Sequence, residues 1–152
     1  MFDLAQLKAP PGPPLYDAMV ANFDYSPVLR TAVKECNVSD VEEAKDLLDA
    51  FLQWIAAMPG KEPGQTFVML KCDVDRIFHS FVLNTRLYRE FCDTFLAHFV
   101  DHTPIEERGS RPAVEYTIQF LRETYGRNLH PKLAEWADVV DADAWEVSCG
   151  KC

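Results

Sequence analysis

The stretch "TFVMLKCDVDRIFHSFVLNTRLYREFCDTFLAHFVDHTP", residues 66–104, decides the fold class. Its opening, Thr66 to Lys71, has the β-branched and aromatic content of a strand, but no second segment of the chain offers itself as a strand partner. The apolar run is therefore read into a helix from about Val68 to Leu83. Asn84-Thr85 punctuate, and Thr85 is placed to cap a second helix from Arg86 to about Val100. Phe78, Phe81, Phe91, Phe95 and Phe99 fall at helical spacing and belong to the core.

The flanking segments repeat this pattern. "SDVEEAKDLLDAFLQWIAAMPG", residues 39–60, opens on Ser39 with Glu42 three residues later, a capping box. Val41, Ala44, Leu47, Leu48, Phe51, Ile55 and Met58 then share one helical face, and Pro59-Gly60 end it. Upstream, "PLYDAMVANF" reads as a short helix, and "SPVLRTAVKECN" as another with Ser26 as N-cap and Pro27 in its first turn. Downstream, "RPAVEYTIQFLRETYG" is amphipathic and closes on Gly126, and "HPKLAEWADVV" is a short last helix. The fold class expected is all-α: one compact domain of five to seven helices over residues 15–140. A Pro-rich arm, residues 1–14, precedes it, and an irregular Cys-bearing tail, residues 141–152, packs upon it.

The length of 152 residues and the 48% hydrophobic content suit a single domain with a substantial core. The chain carries a net charge of −9 without a basic stripe, which excludes nucleic acid as a natural partner because phosphate binding needs clustered Lys and Arg. An anionic membrane surface is excluded on the same ground, and no apolar run reaches the roughly 20 residues of a membrane span. The N-terminal residues lack the pattern of a secretory signal, so a cytoplasmic location is expected. The cysteines at positions 36, 72, 92, 149 and 152 are odd in number and irregular in spacing, and reduced thiols are expected. Cys36, Cys72 and Cys92 lie among apolar residues; Cys149 and Cys152 form a Cys-x-x-Cys turn.

Chemistry concentrates in the opening stretch. Cys72, Asp75 and His79 stand at i, i+3 and i+7 on one helical face, and Tyr88, Cys92 and Phe99 form a similar row on the next. His98 and His102 stack if the second helix persists to residue 102. With two antiparallel helices, His79 meets His102 only through a steep crossing or a bend near Asp101.

This stretch resembles the glycine-rich domain-containing protein-like family of plants and bacteria. The resemblance runs through Asp75, His79, Thr85, Tyr88, Phe91, Cys92, His102 and Pro104; Phe78, Asp101 and Leu96-Ala97 depart from the pattern. It implies a helical fold and a candidate site, and no particular activity.

The metal reading follows from ligand chemistry. Zinc takes Cys thiolate and His nitrogen tetrahedrally, and a tail folded back on the helical pair offers Cys149 and Cys152 to join His79 and His102. Asp75, with Asp101 and Cys92, would then support those ligands from behind. Iron is the weaker choice and would recruit Asp75 or Asp101. Zinc in a closed site makes the protein a binding or accessory module; an open position near Asp75 and His79 makes it a metalloenzyme. A metal-free alternative has the Pro-rich arm and acidic surface meeting another protein. His98 and His130 are assigned to surface or loop. No phosphate loop, nucleophile elbow or metalloprotease helix is present, and "DVVDADAWE" lacks the spacing of a calcium loop.

Overall fold

A computed structural model describes residues 8–102 and 110–149, with main chain alone at 148 and 149. The fold is the compact all-α domain expected, built round one helix. That helix, α3 (Val41–Ala57), follows α1 (Pro13–Ala21) and α2 (Ser26–Glu35). From Ala50 to Ala57 every residue of α3 is buried, Gln53 included, so its C-terminal half is enclosed on all sides. α1 packs against α3, α2 packs against α3 and α4 (Asp73–Leu83), and α4 also packs against α3 and α5 (Thr85–Phe95). α6 (Arg111–Tyr125), α7 (Pro131–Ala134) and α8 (Trp136–Asp141) complete the order of helices.

Local chemistry explains the boundaries. Asp40, not Ser39, caps α3: its carboxylate accepts the Glu43 N–H at 2.8 Å, and the Ser39 N–H donates to Glu43 Oε2 at 2.9 Å. The reciprocal cap is thus present, displaced by one residue. Helix α1 takes in Pro13 and Pro14, since proline lacks only the N–H that a first turn leaves unused. Gly12 precedes them at φ 91°, a conformation that a side chain disfavours, and its N–H donates to the Ala56 carbonyl at 2.8 Å. The described part of the arm is therefore tied to the end of α3, while residues 1–7 lie outside the described residues. Gly126, at φ 55°, ends α6 as expected.

Two elements differ from the sequence reading. Residues 68–72 are not helical: Met69–Leu70 (β1) pairs antiparallel with Val147–Cys149 (β2), Met69 opposite Cys149 and Leu70 opposite Val147. The missing strand partner lies in the tail, so that tail is anchored through residue 149 instead of irregular. Phe67, Val68, Met69 and Leu70 are all buried, a run that an amphipathic helix could not hide on one face. Side chains satisfy the remaining backbone groups. The Val68 N–H donates to Thr117 Oγ1 at 3.0 Å, and the Val68 carbonyl accepts Trp54 Nε1–H at 2.9 Å.

The second helix is also shorter than expected. α5 stops at Phe95, and Leu96 leaves it in an extended conformation, φ −117° and ψ 159°. His98 is consequently in an exposed non-helical segment, and no His98–His102 stack forms along a helix.

Gln53 ties the last third of the chain to the centre. Its Nε2 donates to the Asn128 carbonyl at 2.9 Å, its Oε1 accepts the His130 N–H at 2.7 Å, and its own carbonyl accepts the Tyr125 hydroxyl at 2.6 Å. Gln53→Ala leaves two backbone groups without their partner and is expected to cost about 2 kcal/mol in urea denaturation. Leu83→Ala, at a side chain 62% exposed, is expected to stay within about 0.5 kcal/mol of wild type.

Candidate metal centre

α4 presents two faces. Val74, Ile77, Phe78 and Phe81 enter the core, where Phe78 lies 5.1 Å from the Phe51 ring and 5.6 Å from Trp54. Burial of that face fixes the rotation of the helix about its axis, and with it the direction of Asp75 and His79 one turn apart. Asp75 is 9% exposed at its side chain and His79 is 52% exposed, so the pair runs from interior to solvent.

His102 arrives from the other side. After α5 ends, residues 96–102 leave the helical path, and the His102 side chain, 3% exposed, is buried beside Asp75. Its Nε2 lies 3.3 Å from Asp75 Oδ1, while His79 Nε2 lies 3.5 Å from Asp75 Oδ2. The two imidazoles meet edge to face at 4.7 Å between centroids. Phe78 stacks on His102 at 4.0 Å, fixing the plane of the ring. The early end of α5 thus removes the geometric obstacle that two long antiparallel helices would have posed.

One ligand atom from each of Asp75, His79 and His102 can be chosen so that all three lie within 4.8 Å of one another. In a tetrahedral zinc site with arms of about 2.1 Å, neighbouring donor atoms stand roughly 3.4 Å apart. The two carboxylate–imidazole separations, made to different oxygens of Asp75, are each close to that spacing. Both ring nitrogens of His102 are buried and make no hydrogen bond among the described residues, an arrangement that costs free energy unless something else satisfies them. Donor set and proximity make Asp75, His79 and His102 a group that could hold a metal ion.

The expected ligand residues divide accordingly. His79 and His102 come together, and Asp75, expected behind them, stands with them in the group that could hold a metal ion. Asp101 adjoins His102 and is exposed. Cys92 is buried beneath the segment that carries His102, and burial pushes its thiol up against the opposing pull of the Val100 N–H and the Tyr88 hydroxyl. The Cys149 main chain is brought by β2 opposite Met69, six residues before Asp75. Its side chain, together with Cys152 and Pro104, lies outside what is described.

The remaining thiols are structural neighbours. Among the described residues Cys36, Cys72 and Cys92 are free; Cys72 directly precedes α4, and burial raises its thiol above the ordinary range. His130, expected at surface or loop, is 7% exposed at its side chain. Its Nδ1 accepts the Lys132 N–H at 3.0 Å, capping α7, and its Nε2 lies 2.9 Å from Asp46 Oδ1. The legible signal was its place immediately before Pro131, the N-cap position of a helix with proline first.

A family model described as UCP032817-like matches residues 16–119, and the chain belongs to this uncharacterised family. The match corrects the resemblance to the glycine-rich domain-containing protein-like family. The motif on which that resemblance rested, residues 73–104, falls inside the UCP032817-like match. No curated protein and no solved structure matches the chain. No helix among the described residues is long and apolar enough to cross a membrane.

The burial contrast predicts the order of reaction with diethyl pyrocarbonate, followed by peptide mass spectrometry. Of the four histidines, exposed His79 and His98 should be modified first, with His102 and His130 protected until the protein unfolds.

Proposed function

We propose that this protein is a metal-binding helical module in which Asp75, His79 and His102 hold one divalent transition-metal ion, with zinc the best match to two imidazoles and a carboxylate. The observation that carries the reading is His102: a buried imidazole, stacked on Phe78, with both nitrogens lacking a hydrogen bond among the described residues and one of them 3.3 Å from a buried carboxylate. A core histidine ordinarily finds a donor or acceptor for its ring, and a metal would supply the partner of one of the two nitrogens here.

The fourth position separates two forms of the proposal. A thiolate from Cys149 or Cys152 would close the site and make it structural, stapling the end of the chain to α4. Water in that position would leave an open site, and the 52% exposure of His79 favours access from solvent. A metal with an open position can lower the pKa of bound water and support hydrolytic chemistry.

Titration of metal-free protein with Zn²⁺, followed by calorimetry and thermal melting, tests the reading. One equivalent should bind, and free zinc at a hundred times Kd should add about 2.7 kcal/mol of stability. His102→Ala and Asp75→Asn should each abolish that gain. Zinc should also slow the modification of His79. A wild-type protein that takes up no zinc, cobalt or iron above a tenth of an equivalent overturns the proposal. A Cys149→Ser/Cys152→Ser variant that keeps its zinc affinity assigns the open form; one that loses it assigns the closed form.

A further inference from the structure

The segment that delivers His102 is held at one residue. Val100 is buried, and its carbonyl accepts the Tyr88 hydroxyl at 2.5 Å. The Val100 N–H also bears on the Cys92 thiol, which in turn meets the Tyr88 hydroxyl. Tyr88 and Cys92 stand one turn apart on α5, and both are 0% exposed. Both backbone groups of Val100 therefore meet side chains of the helix that the chain has just left.

We propose that Tyr88 is the positioning residue of the metal centre, acting through the main chain of Val100 to hold His102 over Asp75. The inference rests on the metal reading above and adds to it the means by which the third ligand is fixed. Four constraints converge on a short irregular segment: the hydroxyl on the Val100 carbonyl, the thiol at its N–H, the Tyr88 ring against Phe99 at 5.2 Å, and Phe78 stacked on His102. Residues 96–102 have no helical hydrogen-bond ladder of their own beyond the Leu96 N–H, which donates to the Cys92 carbonyl at 2.8 Å. Fixing Val100 leaves two residues, Asp101 and His102, between the clamp and the ligand nitrogen. The donors and acceptors form a closed ring if the thiol donates to the tyrosine oxygen, the phenol to the carbonyl and the amide to the sulfur. The thiol and the phenol then each donate once and accept once, the carbonyl accepts and the amide donates.

The shallow groove between Val20, Tyr25, Leu48 and Leu52 has nothing to say what fills it, and the His130–Asp46 pair is accounted for as a helix cap. The Tyr88 contact is distinguished from them by its direct connection to a ligand side chain.

Tyr88→Phe removes only the hydroxyl, and Tyr125→Phe is the matched control. Tyr125 likewise donates from the interior to a backbone carbonyl, that of Gln53 at 2.6 Å, in a different part of the core. In metal-free protein, hydrogen exchange at Val100–His102 should rise in Tyr88→Phe and remain at the wild-type level in Tyr125→Phe. Co²⁺ titration, read by d–d absorption, should show affinity falling about tenfold or more in Tyr88→Phe, the scale typical of lost outer-shell contacts, with no change in Tyr125→Phe. Cys92→Ser, which keeps a donor and an acceptor at the same place, should retain most of the affinity that Cys92→Ala loses. Unchanged exchange at Val100–His102 in Tyr88→Phe overturns the positioning role, as does equal Co²⁺ affinity in Tyr88→Phe and Tyr125→Phe. Failure of wild type to take up Co²⁺ is seen before any variant is compared and overturns the metal reading itself.

Discussion

The Phe78 ring is the constraint on which both core and site depend. One side packs with Phe51 and Trp54 of α3, and the ring also stacks on His102 at 4.0 Å. Burying a phenylalanine contributes on the order of 2 kcal/mol, and the aromatic contacts around it add directional preference. Because Phe78 can enter the core from only one face of α4, Asp75 and His79 must leave from the adjacent edge. The apolar packing that stabilises the protein thus sets the geometry in which two imidazoles of opposite burial flank the Asp75 carboxylate.

The second dependency is on the end of α5. A helix continuing to Val100 would have carried His102 past the end of α4. Termination at Phe95 lets Val100 return beneath Tyr88, and its carbonyl gains a phenol instead of a helical N–H. The small β1–β2 pairing acts on the same region from the other end of α4: it ties Val147–Cys149 beside the segment that enters that helix. Main-chain hydrogen bonds to side chains, at Val68 and Val100 alike, hold the two irregular segments that border the site.

Much of this was legible in the sequence. Helical periodicity located α3, α4 and α6, because an amphipathic stripe on the core is a local property of the residues that form it. The same row arithmetic put Asp75 and His79 on one edge, and the composition of residues 73–104 directed attention to His102. Two kinds of feature were hidden. Phe67–Leu70 is a short buried apolar run, which periodicity cannot assign, and its strand partner is a three-residue piece almost eighty residues away. The stop at Phe95 has no proline, glycine or cap to announce it; the contact that accompanies it, Tyr88 to the Val100 carbonyl, joins residues twelve positions apart. His130, read as surface or loop, is a buried residue at the start of α7; its burial was hidden because its carboxylate partner, Asp46, lies 84 positions earlier.

Diffraction from crystals grown with zinc, recorded above and below the zinc absorption edge, tests the central claim most directly. The expected result is a single anomalous peak within about 2.0–2.2 Å of one Asp75 oxygen and one nitrogen each of His79 and His102. A zinc-saturated crystal whose anomalous peaks lie elsewhere, with the three side chains arranged as here around no ion, would contradict it.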